Sequence, residues 1–128
     1  MSISKRFVIA ASLAAAVAFP SALLAAEAPA KKAGDVWANS GGMTLYTFDK
    51  DAAGSGKSVC NGTCANVWPA LAAPADAKPS GDWTVVTRDD GAKQWAYKGR
   101  PLYTFAKDQK AGDKTGEGVG GVWHTAKD

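Results

Sequence analysis

TLYTFDKD at residues 44–51 returns as PLYTFAKD at residues 101–108. Side chains alternate between the two faces of an extended strand. Tyr46 and Phe48 therefore share one side, Tyr103 and Phe105 do the same in the second copy, and Leu45 and Leu102 point the other way. Both faces carry apolar groups. A strand covered on both sides suits a small sandwich or a closed, barrel-like sheet better than a single exposed layer.

The likeness extends beyond the octad. Trp37 precedes Tyr46 by nine residues and Trp95 precedes Tyr103 by eight; NVWPAL with Trp68 follows Asp51, and GVWHTA with Trp123 follows Asp108. Each unit reads Trp, a Gly-bearing turn, Leu-Tyr-Thr-Phe, a short step to Asp, a Gly-rich loop, then Val-Trp. Ordered self-similarity of this kind marks a duplicated structural unit. DVWANSGGMTLYTF and QWAYKGRPLYTF place β-favouring residues on both sides of SGG and KGR, which predicts a β-hairpin in each unit. WTVVTR (83–88), joined through DDGA, adds a strand and makes a meander over 83–105. Helix has little room among the Gly and Pro residues; the best candidate is TCANVW, with Thr63 as N-cap and Pro69 stopping it at Trp68. The expected fold is mainly β: two pseudo-repeats of hairpins packed as a small sandwich or barrel-like sheet, with at most one or two short helical turns.

The first 26 residues have the layout of a secretory signal peptide: Lys5 and Arg6, an apolar run from Phe7 to Phe19, Pro20, then small residues. The run is shorter than the roughly 20 residues that a membrane-spanning helix needs, so no integral membrane span is expected after cleavage. Residues 27–34 read as a flexible leader. Residues 35–128 form a single domain of two repeats, 35–73 and 83–126, with the Pro- and Ala-rich PALAAPADAKPSGD (69–82) as connector. Loss of the signal removes two basic residues and no acid, so the net charge falls from +3 to +1. Such a balance gives no ground for a nucleic-acid partner. A monomer is expected.

Asp51 and Asp108 stand where their strands end, and an aspartate there most often accepts hydrogen bonds from the backbone of the following loop. Cation binding is the alternative. DKDAAGS (49–55) opens like an EF-hand loop, but Ala53 replaces an oxygen ligand and Cys60 the closing acid, and Asp49 becomes Ala106 in the second copy. A site shared by Asp108, Asp113 and Glu117 is a further option. The motif rings Tyr46, Phe48, Tyr103 and Phe105 serve either as core or as the lining of a pocket for a flat ligand.

Cys60 and Cys64 are the only cysteines. From Asp51 to Trp68 is two residues longer than from Asp108 to Trp123, and the longer copy holds the cysteines, so a disulfide stapling a small insertion is the expectation. The rival reading is a copper or redox site formed by Cys60 and Cys64 with His124, the sole histidine, and Met43. No serine sits in a nucleophile turn, and the Gly-rich segments match neither a P-loop nor a dinucleotide fingerprint, so no catalytic residue is assigned.

Both octads satisfy Tyr-x-(Phe/Trp/Tyr)-x-x-Asp, through Tyr46, Phe48 and Asp51 and through Tyr103, Phe105 and Asp108. With VCNGTCANVWPAL and the terminal VWH, the chain resembles from about residue 35 to 126 the bacterial secreted-repeat family, also described as predicted lipoproteins with that motif. The cleavage region lacks the cysteine that lipid attachment requires. The resemblance implies an exported repeat protein without an assigned activity, periplasmic or secreted, and carries over no catalytic residue. The expected function is a non-enzymatic binding or envelope-associated module without a cofactor; the alternative is a periplasmic copper-binding or redox protein using Cys60 and Cys64.

Overall fold

The computed structural model describes residues 29–127, and the expected signal segment 1–26 lies outside them. The elements in chain order are β1 (Lys31–Ala33), β2 (Val36–Ala38), β3 (Tyr46–Phe48), α1 (Thr63–Val67), β4 (Trp83–Thr87), β5 (Lys93–Tyr97), β6 (Arg100–Pro101), a 3-10 turn at Val119–Gly121, and β7 (Trp123–Thr125). Among the described residues they form three small antiparallel sheets, β1–β2, β3–β7 and β4–β5–β6, with no closed barrel.

The meander forms as the β-favouring runs and the turns between them predict. Trp83 pairs with Tyr97 and Thr87 with Lys93 across β4–β5, and Gly99, at φ 83°, lets the chain turn back so that Ala96 faces Pro101. The first hairpin is shorter than expected. Its strands meet at Ala38 and Thr44 and through the Leu45 N–H on the Trp37 carbonyl, around a turn that the Asn39 side chain closes by accepting from the Gly41 and Met43 N–H groups. Beyond it, β3 leaves β2 and pairs with β7 from the far end of the chain, Tyr46 opposite Thr125 and Phe48 opposite Trp123.

This pairing has a mirror in the other repeat. The Asp49 N–H donates to the Val122 carbonyl, and the Ala106 N–H to the Val67 carbonyl, each at 2.8 Å. The Ala126 N–H donates to Leu45, and the Leu71 N–H to Leu102. Each repeat therefore sends its Val-Trp segment into the sheet of the other. At the centre, Tyr46 and Tyr103 exchange both backbone bonds, at 2.7 and 2.9 Å, as a closely bonded antiparallel pair does. A pseudo-twofold axis passes between them.

The face assignments hold. Tyr46, Phe48, Tyr103 and Phe105 gather with Cys60, Trp68 and Trp123 in one core cluster, while Leu45 and Leu102 join Trp83, Tyr97 and Ala126 in a second. In the first cluster Trp68 and Trp123 stack at 3.8 Å and 4° across the pseudo-axis, with Phe105 outside Trp68 at 4.1 Å and Phe48 outside Trp123 at 4.2 Å. Aromatic contacts of this kind add about 0.5–1.5 kcal/mol each beyond the area they bury.

Two local expectations change, and the connector, whose order the sequence leaves open, has partners at its start. Lys31–Ala33, inside the stretch expected to be leader, pairs with β2 through a turn at Gly34 (φ 69°); its side chains are all exposed, so no apolar alternation announces it. The N-cap of α1 is Gly62, at φ 62°, rather than Thr63, which is already its first helical residue and makes no capping side-chain bond. The first part of the connector is paired: Ala70 bridges Tyr103, Ala72 bridges Gln94, and the Trp95 N–H donates to Leu71.

Candidate functional site

Both motif aspartates sit inside the molecule, Asp51 at 1% and Asp108 at 6% exposure. The turn after each strand is the same in both copies, with the Asp51 N–H on the Phe48 carbonyl and the Asp108 N–H on the Phe105 carbonyl. It points each carboxylate back across the pseudo-axis. Tyr46 donates its hydroxyl to Asp108 Oδ2 at 2.7 Å, and Tyr103 donates to Asp51 Oδ2. The tyrosine of one repeat thus meets the aspartate of the other, twice over. Each remaining carboxylate oxygen closes its own loop: Asp51 Oδ1 accepts the Val59 N–H at 2.7 Å, and Asp108 Oδ1 accepts the Thr115 N–H at 3.0 Å together with the Thr115 hydroxyl. Burial, and then the bond to a carboxylate, push both tyrosine hydroxyls well above their ordinary pKa. Burial also raises the Asp51 carboxyl, opposed by the Tyr103 hydroxyl, the Val59 N–H and the charge of Arg88.

The Asp51 side carries more polar groups. Ser58 Oγ lies 2.5 Å from Tyr103 Oη and accepts from Arg88 Nη1 at 3.0 Å. Arg88 also donates to Gln94 Oε1 at 2.6 Å and to the Cys60 carbonyl, and Gln94 donates to the Leu102 carbonyl at 2.8 Å. Ser58, Arg88 and Gln94 are all buried. The sequence reading did not single them out. The available signal was the spacing of Val86 and Arg88, which puts a guanidinium on the face of a buried valine. On the Asp108 side the corresponding space is closed more simply. Gly116 donates its N–H to Tyr46 Oη at 3.2 Å, and a Cβ there would stand 2.8 Å from the Trp68 ring.

Cys60 and Cys64 are joined in a disulfide, with Cys60 fully buried in the aromatic cluster. His124 is elsewhere, half-exposed on β7, with Nε2 2.9 Å from Asp49 Oδ2 and Nδ1 3.3 Å from Glu117 Oε2. Those carboxylates raise its pKa, the bond to Asp49 most. Met43 takes part in the Asn39 turn through its backbone. The structure does not join these four residues into one ligand set. Nor do the acids of 49–55 converge: Asp49 turns outward to His124 and Asp51 inward to Tyr103. Asp113 accepts the Gln109 and Lys110 N–H groups, and Glu117 accepts the Thr125 N–H and hydroxyl, so each closes its own stretch of chain. Among the described residues no group of three or more His, Cys, Asp or Glu side chains is placed to hold a metal ion, and no helix is long and apolar enough to cross a membrane.

A family model described as a secreted repeat of unknown function matches the chain twice, over residues 29–72 and 84–127. No curated protein and no solved structure matches it.

Proposed function

The chain belongs to that family of secreted repeats, and we propose from this premise that it is a non-enzymatic binding or envelope-associated module, periplasmic or secreted, whose repeated motif is the scaffold of the module rather than its site. One observation supports this reading above the rest: both oxygens of Asp51 and of Asp108 are occupied, one by the opposite repeat's tyrosine and one by the aspartate's own loop. A buried carboxylate committed in this way has no oxygen turned to solvent for a substrate. The binding surface is then the exposed loops and edges that the scaffold carries.

The test has two arms. The mature protein should co-sediment with washed envelope fragments, and Tyr46→Phe should lower its unfolding midpoint while leaving the bound fraction of folded protein unchanged. A protein that remains wholly in the supernatant overturns the envelope association. Substrate turnover that Asp51→Asn or Asp108→Asn abolishes in a folded protein overturns the scaffold role.

A further inference from the structure

The bonds between the repeats are reciprocal. Tyr46 and Tyr103 exchange backbone bonds, Tyr46 reaches Asp108 as Tyr103 reaches Asp51, Trp68 stacks on Trp123, and Val67 and Val122 each accept an N–H from the opposite octad. A surface that presents both halves of each interaction, related by a twofold axis, is isologous, the geometry by which identical chains form closed dimers. Here one chain supplies both faces, and residues 74–82 are the covalent link between them.

The connector has slack. Ala73, whose N–H donates to the Lys93 carbonyl, lies along one edge of β5, while Trp83 faces Tyr97 on the other edge. Two strand spacings of about 4.8 Å and four residues of about 3.3 Å separate the two points by about 16 Å. Residues 74–82 reach about 33 Å when extended. A flexible tether of that length holds its ends at an effective concentration in the millimolar range, so closure within one chain wins at lower protein concentrations.

We infer that the surface joining the repeats also takes a second copy of this chain, and that the 74–82 connector selects between the closed monomer and a strand-exchanged dimer. In the dimer the first repeat of each copy pairs with the second repeat of the other. Tyr46 and Asp108 then come from different copies, as do Trp68 and Trp123, and every bond between the repeats is kept; the Ala77 N–H to Pro74 carbonyl turn inside the connector opens. The partner is identified by complementarity: the Val-Trp strand, the tyrosine hydroxyl and the carboxylate must arrive together, and another copy of the chain brings all three.

Removing residues 75–79 from the mature chain tests this. The remaining Pro74 bridges at most about 7 Å between Ala73 and Ser80. Ser80, which exchanges backbone bonds with Trp83, lies within about 5.5 Å of it and so at least about 10 Å from Ala73. Light scattering coupled to size exclusion should give the variant twice the wild-type mass at micromolar concentration, with the near-ultraviolet circular dichroism of the tryptophan stack retained. A folded monomer overturns the inference. If the shortened chain does not fold, the wild-type chain decides. An equimolar mixture of unlabelled and ¹⁵N-labelled protein, refolded together near 1 mM, should yield native-like dimers that include the hybrid mass. Recovery of monomer alone overturns the proposal.

Discussion

The loops after Asp51 and after Asp108 begin alike and are closed by different chemistry. Both start with the same turn, both hold a buried carboxylate that accepts the opposite repeat's tyrosine hydroxyl, and nine residues after the aspartate one has Cys60 and the other Glu117. From Cys60 a disulfide runs to Cys64, and the carbonyl of Cys60 takes a bond from buried Arg88. From Glu117 a half-exposed carboxylate reaches Thr125 and His124. One repeat is fixed by a covalent bond and a buried charge, the other by hydrogen bonds at the water's edge. The same tertiary restraint therefore depends on different conditions in its two copies. Low dielectric makes each member of a buried polar network costly to remove, whereas an exposed ion pair is screened and contributes little.

The largest expected effect is at Arg88. Replacing it with Ala leaves Asp51 without its nearby positive charge and strips donors from Ser58, Gln94 and the Cys60 carbonyl. Losing one member of a buried charged network costs about 3–5 kcal/mol. Urea unfolding should show most of the domain's stability gone. A cost below about 1 kcal/mol would mean that the Asp51 side is no more demanding than the Asp108 side, and the contrast between the loops would fail.

Next in size is the disulfide. Closing a loop this short restrains the unfolded chain by about 2 kcal/mol in the chain-entropy model. The paired substitution Cys60→Ser and Cys64→Ser should lower the unfolding free energy by that amount. It should also speed hydrogen exchange at the Val59 N–H, which donates to Asp51, more than at the Thr115 N–H, which donates to Asp108. Equal acceleration at both amides would show that the staple serves the whole molecule rather than its own loop.

The tyrosines sharpen the comparison at a finer scale. Tyr103 Oη meets Asp51 and Ser58, and Tyr46 Oη meets Asp108 and the Gly116 N–H. A hydrogen bond to a charged group contributes about 1.5–3 kcal/mol, and a buried group left unpaired adds its own desolvation cost. Tyr103→Phe takes one partner from the Ser58 hydroxyl, which keeps Arg88, whereas Tyr46→Phe takes the acceptor of the buried Gly116 N–H, so the two substitutions should cost within about 1 kcal/mol of each other. A double-mutant cycle pairing each Phe with Asn at its aspartate partner measures the coupling directly. Coupling of Tyr103 to Asp108 would contradict the crossed arrangement.

Which parts of this arrangement could be read from the chain follows from the range of the signals. A period of two needs only neighbouring residues, so the opposite destinations of Tyr46 and Leu45, and of Tyr103 and Leu102, were visible in the octads. So was the staple, because an insertion and two cysteines coincided in one loop. Strand partners are set by groups far apart in sequence. Nothing within GVWHTA says that β7 lies against β3 of the other repeat, and the hairpin expectation kept each unit to itself. The crossed Tyr–Asp pairs were hidden for the same reason: the motif presents hydroxyl and carboxylate in one octad but joins them between octads. Arg88 is only the last residue of WTVVTR in the sequence, and its burial follows only once Ser58, Gln94 and the Cys60 carbonyl are brought around it. Thr63 suits an N-cap by composition, but the chain enters α1 through a positive φ at Gly62. That moved the cap one residue earlier.

The smallest effect belongs to the exposed side, at His124. Its two ring nitrogens face Asp49 and Glu117, the charged groups the structure sets against it, and both carboxylates favour the imidazolium, so its pKa is raised above the usual value. A raised folded pKa means that the pair's contribution is fully present below about pH 6.5, the unfolded value, and is lost as pH rises through the folded value. Screening at a half-exposed site keeps that contribution below about 1 kcal/mol. NMR titration of the His124 ring should give a midpoint above the usual histidine value, moving down in Asp49→Asn and to a lesser degree in Glu117→Gln, and moving down in high salt as well. Glu117→Gln also weakens the bonds to Thr125, so it should cost stability at every pH, whereas Asp49→Asn should cost it only where His124 is charged. Since position 49 is Ala106 in the second repeat, this pH response has no counterpart across the pseudo-axis. A midpoint that ignores Asp49→Asn would leave His124 an ordinary surface residue and the outer loop without its electrostatic tie.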